Sequence, residues 1–539
     1  MFERIKKAVK NWMETVGAKT GLGREFKSIF EIDGVPAFSQ FYNYGIFIWK
    51  YLYKGFYKAW HLIPAPTIEN PAAMRNMSYL NLSKAIAQEL SGMVWSDQAT
   101  VNVSIDGREL AEGETDPLDD FVQSVLRQNA FSAKMGQSIE QAAALGGEAL
   151  KVWREVRRDR EGREIPDTER VRIGYCMADQ FVPTAWDNAE ITEGVFISRI
   201  AKGGNYYTRL EWHKWDGMTY VVTNELYQSQ MNKSPTESQD ILGYRIPLAT
   251  IYATLDERVE MESLEHSLFS YFRTPVANNL DDNSPLGMSV YGNCMDTLHA
   301  LDICFDSFVR EFRLGKKRII VPAKMIKTVV DPQSGRMRRY FDASDETYEA
   351  LSTDDPDSLK ITDNSVTLRV DEHVAAMNAF LNILCLQIGL SAGTFSFDAR
   401  DGLKTATEVV SENSKTYKTV KNFQNQIKPA VERLVENIIA VAQLYDMSYN
   451  GQKIADLARP GYHVAVQMDD GITQDRQTNI NEGKMLVDSG LISKKTFLTD
   501  PKYGQCLTDE QADAELARIA GEKKIDAYSI DRLDFATAE

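Results

Sequence analysis

The sequence predicts a mixed α+β protein with several core-bearing units, and three observations carry that prediction. Between residues 148 and 228, short segments rich in β-branched and aromatic residues alternate with turn clusters, as an antiparallel sheet requires. Two amphipathic helical patterns, 289–313 and 371–390, bracket a small β-rich insert. A third helical pattern, Thr405 to Met447, is far longer than an ordinary globular helix.

Composition sets the outer limits. The chain has 539 residues, enough for two to four units on the usual domain-size scale. At 43% hydrophobic and 26% charged it is neither disordered nor fibrous in character. Cys176, Cys294, Cys304, Cys385 and Cys506 lie far apart with no CxxC, which argues against a disulfide framework or zinc site and for a reducing compartment. Met1 to Lys7 leads into a short amphipathic stretch, not a signal-peptide apolar block. No run of about 18 uncharged apolar residues occurs, so no membrane span is expected. The net charge of −16 argues against a protein that grips duplex DNA by neutralising phosphates. It leaves open two readings: an acidic wall past which the polymer slides, or no contact with nucleic acid.

In chain order, the first element is an aromatic segment, Phe41 to Trp60. Lys50, Lys54 and Lys58 fall every fourth position, so one face of a continuous helix there would be basic. That face reads either as a membrane-surface or nucleic-acid platform, or as one side of a helix packed through its aromatics. From Pro71 to Trp95, Met74, Met77, Leu80, Leu82, Ile86, Leu90 and Met93 recur at helical spacing. Val101, Val103 and Ile105 alternate as in a strand, closed by the hairpin-type pair Asp106-Gly107. Pro117 to Ala144 reads as one helix, with Asp116 as N-cap and Gly146-Gly147 as its stop.

The first bracketing helix, Ser289 to Arg313, carries Cys294, Leu298, Leu301, Phe305, Phe308 and Phe312 at steps of three and four, over about 35–40 Å at 1.5 Å per residue. The insert contains Arg318 to Pro322, Met325 to Val330, a turn at Asp331 to Gly335, Met337 to Phe341, an acidic stretch, and a last strand at Val366 to Val370. The second helix carries Val374, Met377, Leu381, Leu384 and Ile388. Residues 391–404 break the pattern before the long helix, which would span roughly 64 Å. Pro429 inside it is expected to kink or split it. Shorter helices follow at Gln474 to Ser489, Ser493 to Leu498 and Thr508 to Glu522.

Catalytic chemistry finds little support. Asp281-Asp282, Asp354-Asp355 and Asp469-Asp470 sit in polar, loop-like stretches without histidine nearby, so solvated turns are the expectation rather than a metal-dependent nuclease. The six histidines show no HxH or HExxH spacing, and neither GxxxxGK[ST] nor GxSxG occurs, so the chain reads as neither a P-loop ATPase nor a hydrolase. No cofactor, metal or catalytic residue is expected.

Several long strings resemble the portal proteins of long-tailed bacteriophages infecting Gram-positive bacteria, over about residues 35 to 500. They are IWKYLYKGFYKAWH followed by NLSKAIAQELSGMVW, then NNLDDNSPLGMSVYGNCMDTLHALDICFDSFVREFRLGKKRIIVP, then LSAGTFSFDARDGLKTATEVVSENSKTYKT. The order of helix, small β module, helix, loop and long helix resembles the same family. The resemblance implies a ring, usually of twelve subunits, at one capsid vertex of the virion, assembled in the host cytoplasm. It implies an α+β portal fold: an N-terminal region and mixed α/β wing (1–288), stem helix 1 (289–313), a β-rich clip (314–370) and stem helix 2 (371–390). A tunnel loop (391–404), a long helix with wing return (405–470) and a helical crown (471–539) complete it. Partners implied are double-stranded DNA in the channel, the terminase large subunit, a head-to-tail adaptor, and the major capsid protein and scaffold, with no membrane. Within that frame Thr394, Phe395, Ser396, Phe397, Asp398, Arg400 and Lys404 would face DNA, unless Phe395 and Phe397 plug the loop onto adjacent helices. Arg336, Arg338 and Arg339 would form either a docking surface or a solvated face. Leu298, Leu301, Phe305, Phe308, Met377, Leu381, Leu384 and Ile388 would pack the stem, their stripes covered by neighbouring copies. The rival readings are another virion component, such as a scaffold or baseplate part, and the nuclease.

Overall fold

The computed structural model describes residues 25–36, 38, 41–66, 70–96, 99–107, 115–157, 165, 169–188, 190–231, 241–315, 318–320, 327–330, 337–340, 362–364, 367–397, 406–468, 476–500, 503 and 512–519. Helices and antiparallel sheets meet in a main core that runs from the aromatic segment to the long helix.

After a short strand β1 (Glu25–Phe26), the aromatic segment forms a π-helical turn, Tyr42–Ile46, and then α1 (Phe47–Tyr53). Gly55 ends it with φ +95°, and α2 (Lys58–His61) starts afresh. The continuous basic face therefore does not form. Lys50 pairs with Asp179, and Lys54 lies 5.6 Å from the Tyr51 ring centroid. Phe41, Ile46, Trp49 and Leu52 are buried.

The helix expected from Pro71 begins only at α3 (Leu82–Val94). Before it, β2 (Leu62–Pro64) pairs with β3 (Met74–Asn76), and the chain then runs extended to Asn81, whose φ is 52°. Tertiary contacts override the local periodicity here, because the backbone N–H groups of Ser78 and Leu80 donate to two carboxylates of a distant helix.

β4 (Thr100–Ile105) buries alternate residues, but it pairs with β20 (Tyr462–Gln467) and not across Asp106-Gly107. The next helix caps its other edge: Asp116 and Asp119 accept from the N–H groups of Ile105 and Val103, each at 2.8 Å, and Gln123 donates to the Val101 carbonyl at 2.5 Å. The helix expected over 117–144 is two helices, α4 (Pro117–Gln128) and α5 (Phe131–Leu145). They separate where the Asn129 side chain bonds the backbone of Val171 and Ile173. Asp116 caps α4, accepting from Leu118 N at 3.0 Å. Gly146 ends α5 at φ +100°, where an added Cβ would collide with the Gly287 carbonyl oxygen.

The region expected as one sheet divides into two. β5 (Gly147–Glu155), β6 (Arg170–Met177) and β13 (Phe269–Arg273) form a three-stranded sheet in the order β13-β5-β6. The strands β7 (Phe181–Asp187), β8 (Glu190–Lys202), β9 (Asn205–Asp216), β10 (Thr219–Gln230), β11 (Gly243–Ile246) and β12 (Arg258–Met261) belong to a seven-stranded sheet in the order β1-β11-β10-β9-β8-β7, with β12 on β10. A short helical turn at Ala178–Gln180 carries the chain from one sheet to the other. Rings of Phe181, Phe196 and Phe269 join the two sheets, with centroids 4.9–5.6 Å apart. Beside them Glu211 meets Lys151 and Arg209, each at 2.7 Å, and His213 at 3.0 Å. Burial alone would raise the Glu211 pKa, but these partners hold it well below the usual carboxylate range.

α6 (Met295–Leu314) starts later than expected, because 290–293 forms turns. In the insert, β14 (Arg318–Ile320) pairs with β17 (Thr362–Asn364), and β15 (Lys327–Val330) with β16 (Met337–Tyr340). The strand expected at 366–370 is absent among the described residues: 367–369 is irregular and α7 (Val370–Ile388) begins at once. α8 (Ala406–Leu444) is a single helix of 39 residues through Pro429. Burial of Ile427, Val431, Leu434, Val435 and Ile438 around the proline explains why the lost N–H does not end it. The hairpin of β18 (Ser448–Tyr449) and β19 (Gln452–Lys453), then α9 (Ile454–Ala458), lead to β20. The tail carries α10 (Arg476–Asp488), α11 (Lys494–Thr499) and α12 (512–519).

Candidate functional site: a helical hairpin and its loop

α6 and α7 lie antiparallel and close their apolar stripes against each other. Leu298, Leu301, Met377, Leu381, Leu384 and Ile388 are buried, and Phe305 and Phe308 are partly buried against the same core. These are the eight expected stem-packing residues. Their stripe is covered within one chain, so the sequence argument that neighbouring copies must cover it does not hold for these side chains. The reason is geometric: two antiparallel stripes joined by a short module face each other before they can face another copy.

The opposite faces stay open. Ile303 is 47% exposed on α6, and Ile383 and Leu386 are 46% and 68% exposed on α7. Those are large apolar side chains outside any core.

Two carboxylates that sequence reasoning missed fix α6 to the body. Asp302 accepts from Leu80 N at 2.9 Å and lies 3.1 Å from His61 Nε2. Asp306, one turn on, accepts from Arg75 Nη1 at 2.8 Å and Ser78 N at 2.9 Å. The hydrogen bond from Arg75 holds the Asp306 pKa below its usual value, against the opposing effect of burial. The signal was legible: two acids four residues apart, flanking the apolar positions Leu301 and Phe305. Trp60 stacks on His299 at 4.8 Å on the same side. At the far end Arg369 donates to both Glu311 oxygens, at 3.1 and 2.9 Å, and Phe308 lies 5.5 Å from the His373 ring.

The described start of the loop after α7, 389–397, is also held by hydrogen bonds. Gly389, at φ +82°, reverses the chain, and the Thr419 hydroxyl donates to its carbonyl at 2.6 Å. Asn382 accepts from Gly393 N at 3.1 Å, and Asn378, one turn earlier, from Phe397 N at 2.9 Å. The Thr394 hydroxyl donates to the Ser391 carbonyl at 2.7 Å. Among the expected loop residues, Thr394 and Phe395 are half-buried, with Phe395 against the core; Ser396 and Phe397 are exposed, Phe397 by 50%. Asp398, Arg400 and Lys404 lie outside the described residues, as does Arg336. Arg338 and Arg339 fall on β16, opposite Val329 and Thr328.

Among the described residues no group of three or more histidine, cysteine or acidic side chains could hold a metal. Asp281 accepts from Asn283 N at 3.1 Å, as in a turn, while Asp354-Asp355 and Asp469-Asp470 lie outside the described residues. No helix among them is long and apolar enough to cross a membrane.

The family model described as phage portal protein, SPP1 Gp6-like, matches residues 46–526. The chain belongs to that family. It is a portal subunit of a phage-type capsid, and the family is structural, not enzymatic. The portal subunit's solved likenesses include a chain of "Neck of empty GTA particle computed with C6 symmetry", at 11% identity and TM-score 0.39, covering 77% of this chain and 86% of that one. Another is a chain of "Virion of native gene transfer agent (GTA) particle", at 9% identity and TM-score 0.35, covering 77% and 87%. No curated protein matches the portal subunit.

Proposed function

We propose that this portal subunit forms a ring-shaped channel at one capsid vertex, through which DNA is packaged, retained and ejected. The observation that carries this is the hairpin. Its inner stripes are satisfied within the chain, yet it leaves Ile303 on one outer face and Ile383 and Leu386 on the other. Two different open faces on one rigid unit suit head-to-tail association around an axis, which closes into a ring.

In this reading residues 1–288 are the N-terminal region and wing, α6 and α7 the stem (289–313 and 371–390), and 314–370 the clip. The loop 391–404 lines the channel, with Phe397 presented outward and Arg400 and Lys404 beside DNA phosphates. Residues 405–470 brace the wing, and 471–539 form the crown. The clip, with Arg336, Arg338 and Arg339, docks the terminase large subunit and the head-to-tail adaptor, while the wing meets major capsid protein and scaffold. Twelve copies is the expected number. The chain's charge of −16 supports passage without trapping. Negative-stain imaging of the purified full chain tests this directly: particles with an axial hole are expected, and monomers at every concentration would falsify it.

A further inference from the structure

The two outer faces of the hairpin match each other in sequence when read at equal height. Residues advance 100° each around a helix, so Ile303, Ser307 and Arg310 share the side of α6 opposite the buried Leu301. On α7, Glu372, Ala375, Ala376, Ala379, Ile383 and Leu386 share the side opposite the buried Leu381, and all six are exposed. Because the helices pack through Leu301 and Leu381, these two outer sides point in opposite directions.

Contacts inside the chain set the heights. Glu311 is level with Arg369 through its paired hydrogen bonds, and Phe308 with His373 through ring contact. Moving back along α6 therefore moves forward along α7. Arg310 is level with Asp371 and Glu372, Ser307 with Ala375, Ile303 with Ala379, and His299 with Ile383. Copies related by a rotation axis along the hairpin sit at one height.

We infer that the outer face of α7 in one copy packs on the outer face of α6 in the next, with Asp371 and Glu372 opposite Arg310 and with Ile383 on the Trp60–His299 stack. Three features support this one occupant. Arg310, Asp371 and Glu372 are exposed and make no ion pair within 4.0 Å among the described residues, Arg310 acting only at longer range on Asp306 and Glu372 on Arg369. Ala375, Ala376 and Ala379 on α7 leave room where Ile303 and Ser307 approach from α6. Ile383, 46% exposed, comes level with His299, whose ring stacks on Trp60 at 4.8 Å. The charged end fixes register and the apolar end supplies the adhesion.

This inference rests on the ring reading, and a charge-swap series separates the two. Arg310→Glu alone, and Asp371→Arg with Glu372→Arg alone, should each raise the concentration for half-assembly about tenfold or more by like-charge repulsion. Combining all three should restore assembly to within about threefold of the parent, with mass photometry of the full chain as readout. Thermal melts of each variant establish that the protomer still folds. If the parent forms rings but single reversals leave assembly unchanged, or the combination fails to rescue, another occupant covers these faces and the pairing is wrong. If the parent forms no ring at all, the ring reading itself fails.

Discussion

The antiparallel body and the helical hairpin complete their surfaces in opposite ways. In the body Glu211 finds its partners inside the chain, among Lys151, Arg209 and His213, and Phe181, Phe196 and Phe269 seal the junction of two sheets. In the hairpin one face of each helix is closed and the other is open, with Leu386 68% exposed. A region finished from within needs no partner; one left half-open would, in the proposed ring, be covered by the next copy. In that reading the chain separates folding from assembly, and substitutions should separate them too.

The largest loss of protomer stability should come from Leu434→Ala in the centre of α8, where the side chain is fully buried. A loss of about 3 kcal/mol is expected from chemical denaturation. Leu386→Ala should stay within about 0.5 kcal/mol of the parent in the same assay, and an equal loss would break the comparison.

Glu148 sharpens the body side. Burial pushes its carboxyl up to about 8, opposed by the Ser138 hydroxyl and reinforced by Asp179. The unfolded chain releases that proton near the ordinary carboxylate value, so the folded state binds more protons over the interval between. Stability therefore falls as pH rises from about 4.5 to about 8. Glu148→Gln should remove this slope, leaving the variant about 4 kcal/mol more stable at pH 8 and unchanged near pH 4. Urea midpoints that shift equally at both pH values would contradict it.

Asp306→Asn tests the anchor between the two regions. Its carboxylate pKa is lowered by the Arg75 hydrogen bond, so its contribution is present above the ordinary value and lost as pH falls through the depressed one. A loss of about 1.5 kcal/mol at pH 7 is expected, shrinking in acid. The smallest change belongs to Glu311→Gln at the exposed end of the hairpin, where no resolvable shift in melting midpoint is expected. A clear drop there would show that the Arg369 clasp holds the hairpin closed.

Much of this was legible in the residues. The alternation in Thr100 to Ile105, the cap at Asp116, the stop at Gly146 and the steps of three and four in α6 and α7 all appear where the side-chain spacing puts them. The misread segments share one cause. Met74 to Leu80 has helical spacing, yet Asp302 and Asp306 draw its backbone into an extended run. The pattern over 117–144 shows no break, yet Asn129 turns aside to bond β6. At the site, the eight residues of the apolar stripe are buried or half-buried, but spacing alone does not say whether a stripe meets its own chain or another.

What the sequence determined by itself is local: which segments are helical or extended, which glycines reverse the chain, and the absence of nucleotide-cradling or zinc-binding spacing. Steric and hydrogen-bonding rules within a few residues suffice for those. Only the tertiary structure decided that β4 pairs with β20, that the sheet region divides in two, that α8 continues through Pro429, and that the hairpin covers its inner stripes and leaves its outer ones open. Each of those depends on a distant group arriving to satisfy a backbone bond or cover an apolar face, and no local pattern encodes the arrival.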